Sequence, residues 1–128
     1  MNKFFFLFIF FFLSCIYSPN NDDKMINLPE TKWLKLYDES EESVIIDVRT
    51  DDEFSTGYIK GAVNIDFYKG NEFISEIEKL DKSMAYFIYC KSGARSVQTC
   101  ELLKQKGFKK VYNLKGGILG WTGEIEEL

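Results

Sequence analysis

The sequence predicts an α/β fold in three layers: a mostly parallel central sheet of about five strands with helices on both faces. Short apolar runs alternate along the chain with segments that carry apolar residues at helical spacing. The strongest run, Met84 to Tyr89, is apolar throughout and reads as a strand buried on both faces. It stops at Cys90, and a loop containing Gly93 leads into Val97 to Lys106, which reads as a helix. In folds of this kind, ligands bind beyond the carboxyl ends of the strands, where Cys90 falls.

The elements follow in chain order. Residues 1–14 are expected to be a signal peptide, with Lys3 as its positive start and Phe4 to Leu13 as its unbroken apolar core of ten residues. A bilayer span needs about 20 apolar residues, so this run is too short for a transmembrane helix. Residues 15–24 follow as Cys15 and a polar, turn-forming tether through Ser18, Pro19, Asn20, Asn21, Asp22 and Asp23. The domain is expected over residues 25–128.

Met25 to Leu28 reads as a short edge strand, and Pro29 suits the first turn of a helix. Trp33, Leu34, Leu36 and Tyr37 supply that helix with a partial apolar stripe. Val44 to Val48 is a strand ending at Asp47-Val48-Arg49, and Asp51, Asp52 and Glu53 then suit a helix N-terminus. Gly57 and Gly61 punctuate the approach to a short strand, Ala62 to Ile65. Glu72 to Leu80 presents Phe73, Ile74, Ile77 and Leu80 on one helical face. After the central strand and its helix, Gly107 marks a helix end, Val111 to Leu114 forms a last strand, and Gly116-Gly117 turns the chain toward Ile118 to Trp121.

Composition excludes several functions. The chain has 128 residues, enough for one domain, and 45% hydrophobic residues, enough for a packed core. A net charge of −4 without a long basic run argues against nucleic acid as a partner. The absence of histidine excludes a Ser-His-Asp triad, a Cys-His pair and any His-ligated metal site. Three scattered cysteines, Cys15, Cys90 and Cys100, make neither a disulfide framework nor a zinc site.

The stretch from Cys90 to Ser96, Cys-Lys-Ser-Gly-Ala-Arg-Ser, carries the chemistry. The first N–H groups of a helix lack backbone partners and bind anions. A cysteine facing them has its thiolate favoured. A free thiol of pKa ~8.5 is only about 3% thiolate at pH 7, whereas a pKa of ~6.5 gives roughly 75%. Most free cysteines are small buried hydrophobes. Position separates Cys90 from that majority, whereas Cys100, on a helix face with Val97 and Leu103, reads as core, with a resolving partner for Cys90 as the alternative. Lys91 and Lys115 are either anion-steering groups or ordinary solvated charges. Trp121 reads as a core or rim aromatic.

These residues resemble the single-domain rhodaneses, or sulfurtransferases. The likeness runs from about Ile45 to Trp121 through Asp47-Val48-Arg49, Glu53-Phe54, Gly57, Ile59, Gly61-Ala62 and Asn64, Tyr89 to Ser96, and Gly107-Phe108, Val111, Leu114, Gly116-Gly117 and Trp121. Tyr58 and Lys60 stand where the family has His and Pro. Leu13-Ser14-Cys15 resembles the lipobox of bacterial lipoproteins, although Phe12 replaces its usual Leu. That likeness implies lipidation of Cys15 and an exported, membrane-anchored protein of the bacterial cell envelope, the alternative being an ordinary secretory signal.

The rhodanese resemblance implies a three-layer rhodanese-like fold and a persulfide mechanism without metal or cofactor. Catalytic Cys90 would take the sulfane sulfur of a small anionic donor such as thiosulfate and pass it to a thiol or cyanide acceptor. Backbone N–H groups of Lys91, Ser92, Gly93, Ala94, Arg95 and Ser96 would cradle the persulfide, and Arg95 would pair with the donor and brace the loop. Arg49 is expected in a structural ion pair with Glu53, with contact to substrate as a secondary role. The alternatives are a persulfide carrier or binding module of the same fold, and a phosphatase or arsenate reductase. The latter families carry one more residue between cysteine and arginine, which disfavours them here.

Overall fold

The computed structural model describes residues 26–128. The expected signal peptide, Cys15 and the tether lie outside the described residues. Strands β1 (Ile26–Leu28), β2 (Ser43–Asp47), β4 (Val63–Asn64), β5 (Ala85–Tyr89) and β6 (Val111–Leu114) form one sheet in the order β1-β6-β5-β2-β4. Every neighbouring pair in it is parallel, with Val44 beside Tyr86 and Ile46 beside Ile88 at the centre. This is the expected three-layer α/β architecture, and β1 lies at the expected edge. Helices α1 (Glu30–Glu39) and α2 (Asp51–Ser55) pack on one face, and α3 (Asn71–Glu78) and α4 (Ala94–Gln105) on the other.

The period-2 geometry of a strand divides the central residues between the layers. Tyr86, Ile88 and Cys90 point into the α3/α4 layer with Phe73, Ile77, Cys100 and Leu103. Ala85, Phe87 and Tyr89 point into the α1/α2 layer with Trp33, Ile59 and Leu114. All five residues of β5 are buried, which explains why its sequence is apolar at every position rather than alternating. Each large apolar side chain so buried contributes roughly 1.5–3 kcal/mol. Trp33 anchors α1: its ring packs edge-on against Phe87 at 5.4 Å and Trp121 at 5.8 Å, and its Nε1 donates to the Tyr112 carbonyl at 3.3 Å. Trp121 is therefore half-buried at the rim of this layer.

The structure departs from the expected elements in two places. Helix α4 starts at Ala94, so Ala94 and Arg95 are already helical and the connection from β5 is shorter than expected. Gly93, at φ +118°, makes that abrupt entry, which a residue with a Cβ would adopt only under strain. The second departure is an antiparallel ribbon of β3 (Tyr58–Ile59) and β7 (Ile125–Glu126) outside the main sheet. Tyr58 and Lys60 belong to this ribbon region: Tyr58 stacks on Phe54 with ring centroids 4.0 Å apart, and Lys60 pairs with Glu124 at 2.8 Å.

Candidate active site

Cys90 follows β5 directly, and α4 begins four residues later at Ala94. The N-cap residue Gly93 offers no side chain to the first turn of α4, so the Cys90 sulfur takes the capping place. Its Sγ accepts the Gly93 N–H at 3.1 Å and lies 3.3 Å from Ser96 Oγ. Burial by itself pushes the Cys90 thiol up, but the Ser96 hydroxyl and the N–H groups of Ser96, Gly93 and Arg95 all favour the thiolate. The donors win, and the thiol is held below its ordinary value. The residue is 1% exposed, whereas Lys91, Ser92 and Ala94 around it are exposed.

A second wall holds the loop from outside. The 3-10 turn Ile118–Gly120 donates the Ile118 N–H to the Cys90 carbonyl at 2.9 Å and the Leu119 N–H to the Lys91 carbonyl at 3.1 Å. Gly117, at φ +61°, lets this turn lie flat on the loop: a Cβ there would stand 2.6 Å from the Cys90 oxygen and would collide with the Lys91 carbonyl. Gly116-Gly117 reads from sequence only as a turn; its contact with the Cys90 backbone has no local sequence signal.

Arg95 is braced rather than free. Its guanidinium grips Glu53 bidentately, Nη1 to Oε1 at 2.6 Å and Nη2 to Oε2 at 3.1 Å, with its face 5.5 Å from the Tyr68 ring centroid. The same Glu53 closes a capping box on α2, where its backbone N–H reaches Thr50 Oγ1 at 3.2 Å and its Oε1 accepts the Thr50 N–H at 3.3 Å. One carboxylate thus ties the starts of α2 and α4 together. The Arg95 hydrogen bonds lead the causes that lower the Glu53 carboxyl to about 2.

This corrects the expected partner of Arg49. Glu53 is taken by Arg95, and Arg49 instead grips the buried Asp47, with Nη2 at 2.7 Å from Oδ2 and Nε at 3.1 Å from Oδ1. Nη2 also donates to the Gly57 carbonyl at 2.7 Å. Asp47 is two residues before Arg49 at the end of β2, so the pair is local and both groups are buried. The buried Tyr89 hydroxyl accepts the Ile59 N–H at 3.0 Å nearby, and its acidity is suppressed by burial first and by Asp47 second. Arg49 therefore joins β2 to the β3 ribbon. Cys100 is wholly buried in the α3/α4 layer, where burial raises its thiol to about 12, so it is un-ionised at neutral pH. Lys91 and Lys115 are exposed.

The Glu53 carboxylate supplies a pH test. Its folded pKa lies below its unfolded one, so its stabilisation is complete above about pH 4.5 and is lost as pH falls toward about 2. Glu53→Gln is expected to lower stability at neutral pH by about 1–2 kcal/mol, a figure reduced for partial exposure. Denaturant unfolding across pH 2–7 checks this: the gap between parent and variant should close near about pH 2.

Residues 30–124 match the Rhodanese-like domain family. The Bacillus subtilis protein YtwF is 41% identical over 86 residues, 67% of this chain and 80% of that one. A protein named Sulfurtransferase from Allochromatium vinosum is 40% identical over 84 residues, covering 66% of this chain and 76% of its own. Among solved structures, a Rhodanese-like Domain Protein from Staphylococcus aureus superposes with a TM-score of 0.69 at 30% identity, over 81% of this chain and 99% of that one. The match takes in four of the five sheet strands, β2, β4, β5 and β6, with the cysteine loop and the turn that backs it: the chain belongs to the rhodanese family.

Proposed function

We propose that this chain is a sulfurtransferase, which moves a sulfane sulfur from a small donor such as thiosulfate to a thiol or cyanide through a persulfide on Cys90. The observation that carries this reading is the Cys90 sulfur standing at the cap of α4, where N–H donors overcome the cost of burial and favour the thiolate. The thiolate attacks the donor's outer sulfur, sulfite leaves with the electron pair of the broken S–S bond, and Cys90 retains the sulfur. Among the side chains around it, Arg95 acts as a brace through Glu53. The donor's charge is then met by loop N–H groups and by the exposed Lys91. The short Cys90–Arg95 loop closes around a single sulfur atom more readily than around a tetrahedral oxyanion.

A thiosulfate:cyanide assay run beside an aryl phosphatase assay tests this reading. Thiocyanate formation without phosphatase activity is the expected result. Persulfide formation with negligible turnover would make the chain a carrier, and phosphatase activity without thiocyanate would refute the reading. We also propose export and lipid attachment at Cys15, supported by the apolar run and the Leu13-Ser14-Cys15 pattern. Two or three acyl chains give stable attachment where one gives marginal binding. Cys15→Ala is expected to move the protein from the detergent phase to the aqueous phase in Triton X-114 partition, and unchanged partition would contradict it.

A further inference from the structure

Ser96 has one hydroxyl proton and two neighbours that compete for it. The side chain is fully buried, with Oγ 3.3 Å from Cys90 Sγ and 3.0 Å from the Gly93 carbonyl oxygen. A serine hydroxyl donates once. Which neighbour receives the proton depends on the charge of the sulfur. Hydrogen bonds to an ionised acceptor are about twice as strong as neutral ones, so a Cys90 thiolate draws the hydroxyl. Sulfur in a thiol or an S–S bond is a weak acceptor, and the hydroxyl then turns to Gly93. The Gly93 oxygen keeps a partner in either state, because it accepts the Val97 N–H at 3.0 Å. Rotation of one hydroxyl therefore leaves no buried group unpaired.

We propose that Ser96 is a catalytic residue of the second half-reaction, whose hydroxyl turns from the Gly93 carbonyl to Cys90 Sγ as the transferred sulfur departs. This rests on the persulfide reading above. In that step an acceptor thiolate uses its electron pair to bond the outer sulfur of Cys90-S-SH. The Sγ–S bond breaks, its pair stays on Sγ, and the products are R-S-SH and the Cys90 thiolate. The proton travels with the transferred sulfur, and no oxidant or reductant is consumed. Negative charge appears on Sγ only as that bond breaks, so a donor that turns toward it then stabilises the transition state more than the ground state. The first half-reaction runs the other way: charge leaves Sγ, and the hydroxyl gains nothing by staying.

The test uses the full chain with Ser96→Ala and Ser96→Thr. Single-turnover loading by thiosulfate and unloading by cyanide are timed separately, and Cys90 alkylation by iodoacetamide is followed against pH. Ser96→Ala is expected to slow unloading about tenfold, the rate equivalent of about 1.4 kcal/mol. Loading, measured above both alkylation midpoints, should be no slower than in the parent, because the donor stabilised the attacking thiolate at least as much as its transition state. The alkylation midpoint should rise by about one pH unit, and Ser96→Thr should restore both. The unloading-to-loading ratio is internal to each sample, so partial unfolding does not move it. A parental ratio in Ser96→Ala overturns the proposal, as does an equal slowing of both steps. A parent chain that takes up no sulfur at all refutes the persulfide reading itself, a distinct result.

Discussion

Cys90→Ser is expected to reduce sulfur transfer to background, at least about a thousandfold, with the fold unchanged. The replacement is nearly isosteric, and a serine hydroxyl still accepts the N–H groups that now reach Sγ. What disappears is the ionised sulfur. A serine hydroxyl stays protonated at neutral pH, whereas the Cys90 thiol is held below its ordinary value. Oxygen also forms no persulfide. Cys100→Ala should keep most of the activity, because that thiol is raised to about 12 and has no exposure. Its cost falls on stability, about 1–2 kcal/mol for a small buried group lost from the core. Thiocyanate formation and thermal melts of both variants check the pair. Equal loss of activity in both would show that Cys100 shares the chemistry.

The second large effect belongs to Gly117→Ala. No rotamer relieves this substitution, since the added methyl meets backbone oxygen of Cys90 and carbonyl atoms of Lys91 rather than a flexible side chain. The residue also sits at φ +61°, where a Cβ adds strain. Either the 3-10 turn lifts away, breaking the Ile118 and Leu119 hydrogen bonds to the loop, or the Cys90–Lys91 backbone shifts. Both routes move the sulfur relative to the N-terminus of α4. The expected outcome is a loss of about 1–3 kcal/mol in unfolding free energy together with at least about tenfold in transfer rate. Gly116→Ala is the control, since nothing stands within 4 Å of its Cβ position, although its φ of +82° gives it the backbone strain alone. If both substitutions cost the same activity, contact with the loop is not what Gly117 provides.

How far these features are legible in sequence follows from the range of the forces behind them. The strands β2, β5 and β6 and the helices α3 and α4 carry their own apolar periodicity, so their places can be read to within a few residues. The cysteine loop is contiguous from Cys90 to Ser96 and is legible for the same reason. The capping box Thr50-x-x-Glu53 is a local pattern as well, but the acidic run Asp51–Glu53 reads first as a helix-dipole signal and hides it. The partner of Arg95 is harder. Glu53 is 42 positions from Arg95, and they meet only because β2 and β5 are parallel neighbours whose following helices both start at the same edge of the sheet. The two-residue strands β3 and β7 are too short to show any period, and their pairing joins segments far apart in the chain.

The central claim is that Cys90, and not Cys100, carries the sulfur. Intact-protein mass spectrometry after treatment with thiosulfate, followed by peptide mapping under non-reducing conditions, tests it most directly. One added sulfur atom on the peptide containing Cys90, removed by cyanide and absent in Cys90→Ser, is the predicted result. Sulfur on Cys100, or an unmodified chain with thiocyanate still formed, would contradict it.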